Sequence, residues 1–157
     1  MSYTNADGLQ VLTNGAAGVA ANNGVTAKSE VKTLVVNIAD ATTLGSSAAT
    51  PDDQEAFIPS GSYITGAHLL VTTAFTSGGA ATLGIGTYEQ DGTAIDADGI
   101  DAAIALAAVG ANKAVACDGA QVGGTALVTA DAYVKANYGT AAFTAGAAKL
   151  VITYIEP

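Results

Sequence analysis

The chain contains no Arg and no Trp, and only one Cys, one His and one Met among its 157 residues. Five Lys against 14 acids give a formal net charge of −9 at pH 7. That balance argues against a nucleic-acid partner, because affinity there comes from Lys and Arg neutralising phosphates. It argues against anionic membrane surfaces for the same reason. A lone cysteine, Cys117, leaves no intrachain disulfide and no Cys-based zinc spacing. A lone histidine, His68, excludes any site built on two imidazoles. Long apolar runs are missing too: the uncharged stretch 8–27 is interrupted by Gln10, Asn14, Asn22 and Asn23 and cannot span a bilayer. The opening Met1-Ser2-Tyr3 lacks the basic and apolar regions of a signal peptide and the glycine of a myristoylation site, so a soluble, unprocessed chain is expected.

What is present is weakly apolar. Half of the residues count as hydrophobic, but 35 of them are Ala; Val, Ile, Leu and Phe together also number 35. These strong apolar residues are about 22% of the chain, close to the level of about 20% below which a highly charged chain tends to disorder. Folding therefore depends on where they sit. At this length one domain is expected, burying about 68–70% of the surface its unfolded chain exposes.

The first 28 residues are rich in Gly, Asn and Ala and show neither helical nor strand periodicity. They read as an extended N-terminal arm, 1–28, ahead of a β-sandwich domain, 29–157. From Val31 the pattern alternates: Leu34, Val36 and Ile38 share one face, the period-2 mark of a strand. Thr50-Pro51-Asp52-Asp53 has the hydroxyl, proline and acids of a helical N-terminus, which predicts one turn over 51–57. Residues 63–75, the turn Thr76-Ser77-Gly78-Gly79 and residues 80–88 read as a hairpin. In its second strand Gly84 and Gly86 fall opposite Leu83 and Ile85, where a bulge or a closely approaching chain needs room. Residues 89–101 read as an acidic, turn-rich stretch. Residues 100–109 fit strand and helix spacing alike, with strand favoured and a short helical option. Short strands are expected at 113–117, 125–129, 132–138 and 148–155. Seven or eight short strands separated by Gly, Asp and Ser predict an all-β, antiparallel, jelly-roll-like β-sandwich.

Residues able to carry chemistry are few. His68 lies inside a strand, with no G-x-S-x-G or comparable motif beside it, and is better explained as a sheet residue than as a catalytic base. Cys117 closes an apolar segment and reads as a small buried hydrophobe. Asp96, Asp98 and Asp101, around Gly99, offer oxygen ligands at close spacing and are the candidate calcium residues, although the EF-hand spacing and its terminal Glu are missing. An acidic turn explains the same residues. Asp52, Asp53 and Glu55 form a second acidic cluster, best read as a solvated loop. No phosphate loop, aromatic stacking platform, catalytic motif or cofactor site is indicated.

The segment Phe57-Ile58-Pro59-Ser60-Gly61-Ser62-Tyr63-Ile64-Thr65, the run LLVTTAFTSGGAATLGIGTYEQDGTAIDADGID after it, Ala116-Cys117-Asp118-Gly119 and the closing TAAFTAGAAKLVITYI resemble capsid decoration (cement) proteins of tailed bacteriophages, particularly short-tailed ones. The resemblance covers most of the chain after residue 30 and rests on structural patterns without catalytic content. It implies a jelly-roll-like sandwich that assembles as a homotrimer in the host cytoplasm and sits on the outer capsid surface, clamping the major capsid protein. An uncharged arm that orders on docking fits this picture. Tyr3, Leu9, Val11 and Leu12 are its candidate capsid contacts. A different class, a carbohydrate-binding β-sandwich of a phage fibre or adhesin with calcium held by Asp96, Asp98 and Asp101, is the alternative. One His, no Arg and no motif make an enzyme the poorest fit.

Overall fold

Alternating apolar residues on short segments can be buried on one side only by packing sheet against sheet, and among the described residues seven of nine strands do this. The computed structural model describes residues 2–4, 10–12, 31–46 and 57–156. Its strands are β1 (Ser2–Thr4), β2 (Gln10–Leu12), β3 (Val31–Ile38), β4 (Tyr63–Ser77), β5 (Thr82–Tyr88), β6 (Ala94–Ala105), β7 (Ala114–Ala116), β8 (Tyr133–Gly139) and β9 (Phe143–Ile155). A four-stranded sheet runs β3-β9-β4-β7 and a three-stranded sheet runs β6-β5-β8, with every strand pair antiparallel. This is the all-β antiparallel sandwich that the strand count implied. No helix among the described residues is long and apolar enough to cross a membrane.

The core lies between the sheets and draws on both. From the four-stranded sheet come Leu34, Ile38, Ile64, Leu69, Val71, Phe75, Leu150 and Ile152; from the other come Leu83, Ile85, Ile100, Ile104 and Val134. Burying one such Ile, Leu or Val completely stabilises the fold by about 1.5–3 kcal/mol. Few strong apolar residues suffice because those that are buried stand mostly on inward strand positions. Phe75 and Phe143 meet edge to face, with centroids 5.1 Å apart. A side chain at Gly146 would run into the Phe75 ring, so the absence of one there lets β9 lie close to it.

Several expectations change. Residues 63–88 do not form a hairpin: β4 and β5 belong to different sheets, and 78–81 carry the chain across the sandwich. The pattern of turn glycines between two alternating runs is the same for a hairpin and for a crossing. It cannot tell which partner each strand takes, and β4 takes β9 along almost its whole length. Residues 89–101 are turn only at the start, where Glu89 N donates to Thr93 O and Gly92 N to Glu89 O; from Ala94 the acidic segment is strand. Residues 100–109 resolve into both options, strand to Ala105 and a 3₁₀ turn over Leu106–Ala108. Segment 125–129 is not a strand. Its backbone is tied to the chain ahead of β4 instead, through Gly61 N to Val128 O and Val128 N to Ser62 O. Within residues 1–28, β1 pairs with β2, Tyr3 opposite Val11 and Ser2 opposite Leu12, a pairing no alternation announced. The turn expected over 51–57 falls outside the described residues except for Phe57.

Candidate functional site

Each residue singled out for chemistry now has a place. His68 is exposed on β4, flanked in the sheet by Val151 of β9 and Ala116 of β7. Its lateral neighbours are apolar. Nothing in this placement supplies the hydroxyl and carboxylate of a triad. Cys117 is buried, and its backbone N–H donates to Ala67 O. Burial, reinforced by the negative charge of Asp101, pushes its thiol up to about 12. It is a protonated thiol at neutral pH, the reverse of a reactive cysteine.

The three calcium candidates are not gathered around one point. Asp96 feels the charge of Asp98, while Asp101 feels that of Asp118. Their oxygens serve the backbone: Asp96 Oδ1 accepts from Asp98 N at 3.4 Å and Asp101 Oδ1 from Ala103 N at 3.1 Å. Burial holds both Asp96 and Asp101 above the ordinary carboxylate range. Among the described residues no group of three or more His, Cys, Asp or Glu is arranged to hold a metal ion. Asp52, Asp53, Glu55 and Leu9 lie outside the described residues. Tyr3, Val11 and Leu12 are placed only by the β1–β2 pairing.

Of the buried polar groups, Thr87, Asp101, Gln121 and Lys135 lie where β6 folds over β5, and Ser62 stands just ahead of β4. Between Ile85 opposite Asp101 and Thr87 opposite Asp96, β6 carries extra residues that bulge over the sheet. A Cβ on Gly86 would collide with the backbone of Asp96 and Ala97, which is the close approach that the glycine spacing implied. One strand along, the Lys135 ammonium lies 5.0 Å from the centre of the Tyr88 ring, buried and with no hydrogen-bond partner among the described residues. Loss of water lowers its pKa, against the raising effect of Asp91. Alternation would have put Lys135 in solvent; the bulge that covers this face is not written in β8. Gln121 is a second buried polar residue, its Oε1 accepting a 2.8 Å hydrogen bond from Thr87.

Nothing in these groups has the convergence of an active centre. The surface is more distinctive. The strands β3, β4, β7 and β9 contain no Asp or Glu at all, whereas β6 contains three Asp. Cross-strand register aligns Val35, Val151, His68 and Ala116 in one row across the outer face of the four-stranded sheet. Asn37, Lys149, Leu70 and Ala114 form the next row. A face of this kind offers apolar and basic side chains and no carboxylate.

No protein-family model matches the chain, and no curated protein matches it. Two solved structures do. A chain of the cyanophage Pam1 capsid asymmetric unit superposes with a TM-score of 0.58 at 19% identity, over 92% of this chain and 98% of that one. A chain of the capsid of Ralstonia phage GP4 gives a TM-score of 0.52 at 18% identity, over 85% of this chain and 89% of that one. The sandwich is thus a fold present in two phage capsids.

Proposed function

We propose that this chain is a structural virion protein, a decoration protein that binds the outer surface of the major capsid protein shell as a homotrimer and stabilises it. One observation carries the reading: the chain from the Pam1 capsid is covered over 98% of its length, so the likeness involves the whole of that capsid component and not a shared module. The surface agrees with it. The carboxylates of β6 serve backbone N–H groups, while a broad sheet face is free of carboxylates.

The mechanism is linkage. A protein that binds the assembled shell and not its dissociated subunits stabilises the shell by mass action. Repetition over many equivalent positions turns modest contacts into a large total. In this reading the 1–28 arm supplies shell contacts through Tyr3, Leu9, Val11 and Leu12, and the sandwich supplies the contacts between copies.

The test uses shells of the major capsid protein from the same virus. Full-length chain should co-sediment with them saturably, appear by cryo-EM on the outer surface with threefold symmetry, and raise the temperature at which the shell opens. A chain lacking 1–28 retains β3 to β9 and should stay folded but fail to bind. Absence of co-sedimentation, or density only inside the shell, defeats the reading; undiminished binding without the arm defeats the arm's part in it.

A further inference from the structure

We infer that the outer face of the β3-β9-β4-β7 sheet is a contact surface for a second copy of this chain. The inference deepens the oligomeric part of the reading above and does not depend on shell binding.

Charge selects the occupant. A protein with net charge −9 repels its own copies wherever carboxylates meet. Among the described residues the acids lie in β6 (Asp96, Asp98, Asp101), in turns and loops, and at Glu156, which is paired with Lys32. The four strands of this sheet hold Lys32, Lys149 and His68 and no acid. It is the surface through which copies approach without bringing carboxylate against carboxylate.

Hydrophobic exposure points to the same face. Five large hydrophobic residues are exposed among those described, and three of them, Val31 at 60%, Val35 at 49% and Leu70 at 41%, stand here. Val35 sits directly beside Val151, and Leu70 beside Lys149, so the apolar positions occupy adjoining rows and are not isolated. Small neighbours flatten the surface: Ala114 and Ala116 finish the two rows at β7, and Thr33, Thr153 and Gly66 form a third row. Thr65 and Thr153 spend their hydroxyls on each other at 2.8 Å, which lowers the cost of drying this region.

Size sets the expected sensitivity. Four strands at about 4.8 Å spacing and eight residues at about 3.3 Å give a footprint of roughly 400–500 Å². That is less than the roughly 800 Å² a partner contributes to a standard interface. A carboxylate placed centrally in so small a contact has few other interactions to offset it.

The experiment measures mass by native mass spectrometry and light scattering, over a concentration series, for the full chain and four variants. Wild type should be oligomeric. Val35→Glu and Leu70→Glu should each raise the dissociation constant at least tenfold, with the circular dichroism spectrum unchanged. Val35→Thr and Leu127→Glu, the latter exposed in the loop before β8, should keep the oligomer. Two variants on different strands of the face are used so that misfolding of one leaves the other as the test. A monomeric wild type, or an unchanged oligomer in both Glu variants, overturns the inference. Loss of the oligomer in Leu127→Glu as well overturns it too, since the effect would then be general charge. If the Glu variants stay oligomeric but lose shell binding, the face belongs to the shell; that defeats the inference and leaves the decoration reading standing. If they dissociate while wild type binds no shell, the inference holds and the decoration reading falls.

Discussion

The Thr87 hydroxyl donates to Gln121 Oε1 at 2.8 Å, joining β5 to the loop that follows β7. The same loop is tied to both sheets, with Gln121 N donating to Gly99 O on one side and Gly123 N to Ile64 O on the other. It therefore seals one side of the sandwich. Replacing Gln121 by Leu leaves the Thr87 hydroxyl only a 3.4 Å alternative at Asp96 O and should cost about 1–3 kcal/mol in urea unfolding. Adding Thr87→Val removes the stranded donor, so the double variant should be more stable than the sum of the two losses implies. Strict additivity would show that the bond contributes nothing of its own.

Gly86 and Gly78 make a matched pair. A methyl group at Gly86 meets the backbone of Ala97, which cannot swing aside as a side chain would. Gly86→Ala should lower stability by about 3 kcal/mol or more, a fall in Tm of about 6–12 °C for a chain of this size. At Gly78 a Cβ meets nothing within 4 Å and φ is not positive. Gly78→Ala should therefore be neutral or stabilise by about 0.5 kcal/mol through the unfolded state. Equal Tm values for the two variants would mean that the bulge of β6 over β5 is not the structure in solution.

The contrast between these glycines marks what the sequence could and could not disclose. Alternation in 31–38 and 148–155 was enough to place Leu34, Ile38, Leu150 and Ile152 in the core, because burial on one face imposes period 2 directly. The Gly84-x-Gly86 spacing even announced the chain that lies over β5. Partner choice was not legible. The glycines at 78–79 permit a hairpin or a crossing, and only the competition of β9 for β4, at long sequence separation, decides between them. The burial of Lys135 was not legible for a related reason: the ring it lies against, Tyr88, comes from another strand, β5. The acid-free sheet was visible only in retrospect, since its four strands are scattered along the chain and become one face through register.

Asp101 gives the pH dependence. Burial raises its pKa above 3.8 in the folded state, and the neighbouring charge of Asp118 acts in the same direction. Between 3.8 and the raised value the folded chain binds more protons than the unfolded one, so the contribution of Asp101 to stability falls as pH rises through that window. Asp96 has the same sign. Asp40 and Asp91, whose pKa values are lowered by hydrogen bonds from Thr42 and Thr93, have the opposite sign, but their effect develops below 3.8, as the pH falls toward the lowered values. Unfolding by urea should therefore show the chain more stable just above pH 4 than at pH 7. Asp101→Asn keeps an oxygen to accept from Ala103 N and removes the charge. The variant should be at least as stable as wild type at pH 7 and should have a flatter profile between pH 4 and 7. A profile as steep as that of wild type would assign the dependence to other groups, Asp96 first among them.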